Sequence, residues 1–227
     1  MASRRKAEDL IREGRVAVDG QVVTEMGFQV NEEQLVTLDG EPVLRPEPAY
    51  FVLNKPKGYI TTLSDERNRP TVVKFFPPSP PGLKTAGRLD KDTSGLLLVS
   101  NDGDFIARMS HPRFGVEKEY EVQVAGVPRE RDLARLTKGL TIEGVRMKAE
   151  QAEILYAAEN GDRATLRLVL SEGRNRQVRR MTEAIGHPTV ELTRVRIGHL
   201  RAKGMRPGEL RRLSKVDVEK LWQATER

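Results

Sequence analysis

The sequence predicts an α+β protein in which a mixed, largely antiparallel sheet forms the main domain and a small α/β module precedes it. Three observations carry that expectation. Stretches with the two-residue alternation of strands outnumber those with helical spacing. They follow one another at uneven intervals, without the regular succession of a parallel βαβ wrap. Finally, 227 residues exceed the roughly 100–200 of one domain, and three Pro within residues 41–48 read as an extended linker. A boundary is therefore expected near 46–49, dividing the chain into 1–47 and 48–227.

In the first domain, Ser3 can cap a helix through residues 4–13, with Ala7, Leu10 and Ile11 on one face and Gly14 ending it. Short strands at 15–18, 21–23 and 34–38 are joined by the turns Asp19-Gly20 and Asp39-Gly40. In the second domain YFVLNK (50–55) reads as a strand, PKGYITT as a turn, and FFPPSPPG as a loop that its prolines keep from being helical. GLLLVS (95–100) is an apolar strand, DGDFIARMS a short helix, and KEYEVQVAG (118–126) an alternating strand. A helix over 129–138 closes at Gly139, and one long strand is expected over 146–156. Leu166, Leu168 and Leu170 share a face of the next strand, a helix spans 175–186, and a strand follows at 189–198. Ser214 and Asp217 stand in capping-box spacing ahead of a last helix that ends near Trp222.

Composition narrows the chemistry. Hydrophobic residues make up 37% and charged residues 32%, with a mean hydropathy of -0.53, and no apolar run approaches the roughly 18 residues of a membrane span. The amino terminus lacks the apolar core of a signal peptide, so the cytoplasm is expected. With no Cys and three scattered His, thiol nucleophiles, disulfides, iron–sulfur clusters and cysteine zinc sites are excluded. The spacing GxxxxGK[ST] of a phosphate-binding loop is absent, and no metal or cofactor is expected. Net charge is +6, yet residues 167–212 alone hold 12 basic against 4 acidic residues, an excess of 8. Arginine dominates that stretch and suits forked contacts to phosphate and base edges, which points to nucleic acid. Aromatics at 5% are too few for extended stacking of a single strand.

The most informative segment is GRLDKDTSGLLLVS, a polar loop between Gly87 and Gly95 that feeds straight into an apolar strand. Such a loop is fixed to a rigid element while its tip stays exposed. Asp90 or Asp92 could accept backbone N–H bonds in a turn, or serve as a working carboxylate at a polyanion-binding surface. GRLDKDTSGLL resembles the first signature of the RNA pseudouridine synthases, KEY at 118–120 the second, and EGRNRQVRRM at 172–181 with LTRVRIG at 192–198 the third and its companion. The wording NRQVRRM is similar to the branch that modifies single uridines in ribosomal RNA. SRRKAEDLIREGRVAVDGQVV resembles the S4-type RNA-binding domain that precedes the catalytic domain in that branch. Such a domain ordinarily opens with a further short helix bearing Arg-Leu, and that helix is expected to be missing here.

The resemblance implies a small S4-type α/β RNA-binding domain at 1–47 and a synthase domain at 48–227. It implies isomerisation of uridine: the N1–C1′ bond breaks, the uracil rotates, and it rejoins through C5 without cofactor. Asp90 matches the essential carboxylate, acting as nucleophile or as base at the sugar, and aspartates are ionised at neutral pH. Arg179 matches the Arg that pairs with that Asp, and Tyr120 matches the Tyr that lies against the uracil, while its place in the alternating strand equally makes it a core aromatic. Leu192 matches a pocket Leu, while on its residue pattern it is equally an ordinary core position. Arg88, Arg174, Arg176 and Arg180 are expected phosphate contacts, with simple solvation as the alternative for the last three. Lys118 is either a partner of nearby acids or a phosphate contact, and Lys55 in its basic turn an RNA contact or a solvated residue. The expected partner is ribosomal RNA or a ribosomal precursor particle, bound by a monomer. The extended tail after RIGHLRAKGMRPGELRRLS (196–214) looks closer to the large-subunit subgroup, so 23S RNA is preferred over 16S, with a non-catalytic RNA-binding module as the competing class.

Overall fold

The computed structural model describes residues 4–226 apart from Glu32 and Arg45, so the Ser3 cap lies outside the described residues. The chain divides into two compact units, residues 1–47 and 48–227.

In the first unit, helix α1 (Arg4–Arg12) is followed by β1 (Val16–Val18), β2 (Gln21–Val22), β3 (Val36–Leu38) and β4 (Glu41–Pro42). Gly14 ends the helix at a φ of +69°, a value open to glycine. Asp19-Gly20 and Asp39-Gly40 both carry positive φ at both residues, which matches the strand twist of a two-residue hairpin. The four strands form an antiparallel sheet in the order β2-β1-β3-β4. β4 lies inside the stretch whose prolines read as linker. Pro42 is accommodated because β4 is an edge strand, where a missing N–H is tolerated.

The second unit is built on a nine-stranded sheet. Its strands are β5 (Tyr50–Lys55), β6 (Lys84–Ala86), β7 (Ser94–Ser100), β8 (Lys118–Ala125), β11 (Gln151–Ala157), β12 (Arg163–Leu170), β13 (Thr189–Ile197), β14 (Leu200–Arg201) and β15 (Leu210–Arg212). A separate hairpin holds β9 (Leu140–Ile142) and β10 (Val145–Met147). The main path runs β11-β12-β8-β13-β7-β5-β15, and every pair is antiparallel except β7 with β13. Helices α2 (Gly103–Ser110), α3 (Glu130–Lys138), α4 (Gln177–Ala184) and α5 (Lys215–Gln223) complete the unit. Asp102 caps α2 by accepting from the N–H groups of Asp104 and Phe105, and Ser214 with Asp217 forms the expected capping box of α5.

One expected strand is two. Residues 148–150 leave strand geometry because Ala149, fully buried, donates its N–H to the Leu136 carbonyl at the end of α3. β10 then turns back on β9, and β11 starts beside β12.

The apolar run of β7 is buried on both faces: Leu96 and Leu98 pack with Phe105, Ile197 and Leu221, while Leu97 and Val99 pack with Phe51, Leu53 and Val72. Leu166, Leu168 and Leu170 do share a face, joining Tyr120, Val122 and Val124 of β8 and Val178 and Met181 of α4 in one cluster. Each fully buried Leu contributes roughly 1.5–3 kcal/mol. That cluster presses α4 against the sheet and fixes its first turn beside the loop ahead of β7.

Candidate active site

The loop over residues 87–93 is tied down by the end of β5 and the turn that follows it. Lys55, with no exposed surface, donates its amine to the carbonyl oxygens of Asp90 (3.0 Å), Thr93 (2.7 Å) and Pro56 (3.2 Å). Burial pulls that amine down to about 8, against the opposing pull of Asp92 and Asp90. The Thr61 hydroxyl donates to the Leu89 carbonyl at 2.7 Å and accepts the Leu89 N–H at 3.2 Å. The Gly58 N–H donates to the Lys91 carbonyl. The loop therefore presents its side chains from a backbone whose carbonyl oxygens at Leu89, Asp90, Lys91 and Thr93 are already bonded.

Above it lies a pocket of about 370 Å³, within the range of small-molecule sites. Its lining includes Arg88, Asp90, Lys118, Tyr120, Arg174, Arg176, Leu192 and Arg194. Tyr120 and Leu192 are 8% and 5% exposed, so each is both core and pocket wall. Lys118 is buried, donates to the Val116 carbonyl at 2.9 Å, and is held down to about 8 by burial and then by the Arg194 charge. Arg88 is exposed at the rim. Arg174 pairs with Glu172 at 2.9 Å, and Glu172 also accepts from Gln177 at 2.6 Å.

Two arginines meet the loop. Arg176, in left-handed geometry just ahead of α4, places Nη1 3.4 Å from an Asp90 carboxylate oxygen and 3.9 Å from one of Asp92. Arg179, one turn into α4, places Nη2 2.9 Å from the Asp92 carboxylate and within 3.4 Å of the Asp92 carbonyl and the Thr93 hydroxyl.

The family described as RNA pseudouridylate synthase matches residues 49–184, and the S4 domain family matches residues 1–36. The chain belongs to the RNA pseudouridine synthases. Among its relatives, the ribosomal large subunit pseudouridine synthase B of Bacillus subtilis (strain 168) is 41% identical over 221 residues, covering 97% of this chain and 91% of the relative. An uncharacterized RNA pseudouridine synthase of Aquifex aeolicus (strain VF5) is 37% identical over 223 residues, covering 96% and 90%. A crystal structure of a pseudouridylate synthase superposes with a TM-score of 0.69 at 32% identity, covering 96% of this chain and 94% of the other.

Two expectations for this synthase need correction. Arg179 does not pair with Asp90: it lies against the base of the loop and takes Asp92, while Arg176, thrown forward by its left-handed backbone, reaches Asp90. Lys55 is not an RNA contact, because it is enclosed and spends its donors on loop carbonyls. Arg180, expected as a phosphate contact or a solvated residue, pairs with Glu143, in the turn between β9 and β10, at 2.6 Å. Sequence reading also passed over Arg194. The two-residue period of β13 could have found it, since Leu192 toward the pocket puts residue 194 on the same face.

Proposed function

We propose that this synthase isomerises a uridine of large-subunit ribosomal RNA, with Asp90 as the essential carboxylate. The observation that carries the choice of residue is that Asp90, and not Asp92, lines the pocket shared with Tyr120 and Leu192. The RNA target rests on the 41% identity to the Bacillus subtilis large-subunit enzyme over nearly the whole chain.

A uridine must leave its stack to bring C1′ and C5 within reach. In the pocket the ring lies against Tyr120 and Leu192, the Asp90 carboxylate acts at the sugar, and Arg88, Arg174 and Arg176 hold phosphates at the rim. Arg179 keeps the loop in register through Asp92 and Thr93, and the S4 unit adds contacts to the RNA. Such a reaction belongs in the cytoplasm, where ribosomal RNA is matured.

Asp90→Asn keeps the shape and removes the charge. The expected result is loss of pseudouridine formation on unmodified ribosomal RNA with RNA affinity unchanged within a few-fold, read by pseudouridine mapping beside a binding titration. Near-normal activity of the Asn variant would remove Asp90 from the mechanism. Modification found only in small-subunit RNA would refute the target.

A further inference from the structure

Arg194 has no part in the chemistry described so far. β13 pairs antiparallel with β8 and parallel with β7, and the register sets Arg194 opposite Tyr120 on one side and Gly95 on the other. The residue is part of the pocket lining although it is only 4% exposed. Nε donates to the Leu96 carbonyl at 2.7 Å and Nη1 to the Tyr120 hydroxyl oxygen at 3.5 Å, while Nη2 is buried without a partner. Among the described residues no carboxylate lies within ion-pair distance of it. Buried guanidinium groups are ordinarily paired. Here the charge stands uncompensated beneath the pocket, with the Lys118 amine as a second buried cation whose proton affinity it lowers.

A tyrosine hydroxyl has a single proton and can also accept. Because Arg194 offers a donor at the oxygen, the Tyr120 proton is turned away from the guanidinium and toward the pocket. We propose that Arg194 is a positioning residue that makes Tyr120 a hydrogen-bond donor to a carbonyl oxygen of the bound uracil and supports the negative charge of the detached ring. This rests on the reading of the site as the uridine pocket. When the N1–C1′ bond breaks, its electron pair leaves with N1, and the charge spreads to O2 and O4 of the ring. C5 then bonds to C1′, the C5 proton is lost and N1 gains one, so the product is an isomer. A donor aimed at O2 or O4 is worth most while the ring is free, as for any preorganised donor at a developing oxyanion.

The test is a mutant cycle under saturating enzyme, with unmodified ribosomal RNA of both subunits as substrate. Arg194→Met should lower the single-turnover rate about 10²-fold with half-saturation changed less than threefold, and Arg194→Lys should recover at least tenfold of that loss. Combining Arg194→Met with Tyr120→Phe should be little worse than Tyr120→Phe alone, because both remove the same donor. If the Met variant does not fold by thermal unfolding, the Lys variant carries the cycle and must show the same coupling. Multiplicative losses in the double variant, a rate within twofold of wild type, or an effect confined to half-saturation would overturn the proposal. A wild type that modifies neither RNA refutes the reading of the site and this inference with it.

Discussion

Three arginines within five positions illustrate how differently neighbouring residues are used. Arg176, Arg179 and Arg180 share one motif, yet they address Asp90, Asp92 and Glu143. The motif singled out these residues but not who meets whom, because partner choice depends on the left-handed residue ahead of α4, which no helical period encodes. Arg179 serves a carboxylate, a carbonyl and a hydroxyl together, which a lysine point charge cannot reproduce. Arg179→Lys is therefore expected to slow the chemical step about 10²-fold with RNA affinity held within threefold. Arg180→Ala should leave both within twofold, since its partner is an exposed glutamate and neither residue is part of the pocket lining. Single-turnover rates beside a salt titration of affinity decide between them, and a loss of affinity alone in Arg179→Lys would make it a phosphate ligand.

At the scale of elements, β7 was the most legible segment and also the most demanding. A short run of Gly, Leu and Val read as an apolar strand, and a strand buried on both faces is what forms. What the run did not disclose is the parallel neighbour. A Cβ on Gly95 would stand 2.2 Å from the Arg194 carbonyl oxygen, and φ there is +106°. Gly95→Ala should therefore destabilise the protein by at least about 3 kcal/mol, measured by urea unfolding. A change under 1 kcal/mol would mean that β7 and β13 are not so close. The strands that escaped notice, β4, β6, β9, β14 and β15, have two or three residues each. Leu210–Arg212 shows no alternation to read and becomes a strand only because β5 offers it a hydrogen-bonding edge. Such elements are made by tertiary partners, not by local preference.

Across the whole molecule, the excess of 8 positive charges in residues 167–212 overstated the surface offered to RNA. Arg167, Arg196 and Arg201 converge on the buried Glu119 carboxylate at 2.9–3.2 Å. Burial acts to raise that carboxyl, but hydrogen bonds from Arg196, Arg167 and Arg201 prevail and hold it down to about 2. A depressed carboxylate stabilises the fold above its unfolded value, here 4.5, and the contribution fades as pH falls toward 2. The span corresponds to roughly 3 kcal/mol. Glu119→Gln should be less stable at pH 7 and should lose less than wild type between pH 5 and pH 3. Equal pH dependence in the two proteins would show that the cluster is not the source. The loop held by Lys55 and Thr61 has a different bearing on the enzyme as a whole. A mould gripped from beneath at both ends cannot be induced to fit, so the work of fitting falls on the nucleic acid. A uridine already loose in its surroundings enters readily, whereas one locked in a strong helix resists, and the choice of target becomes in part a contest over how easily each uridine comes out.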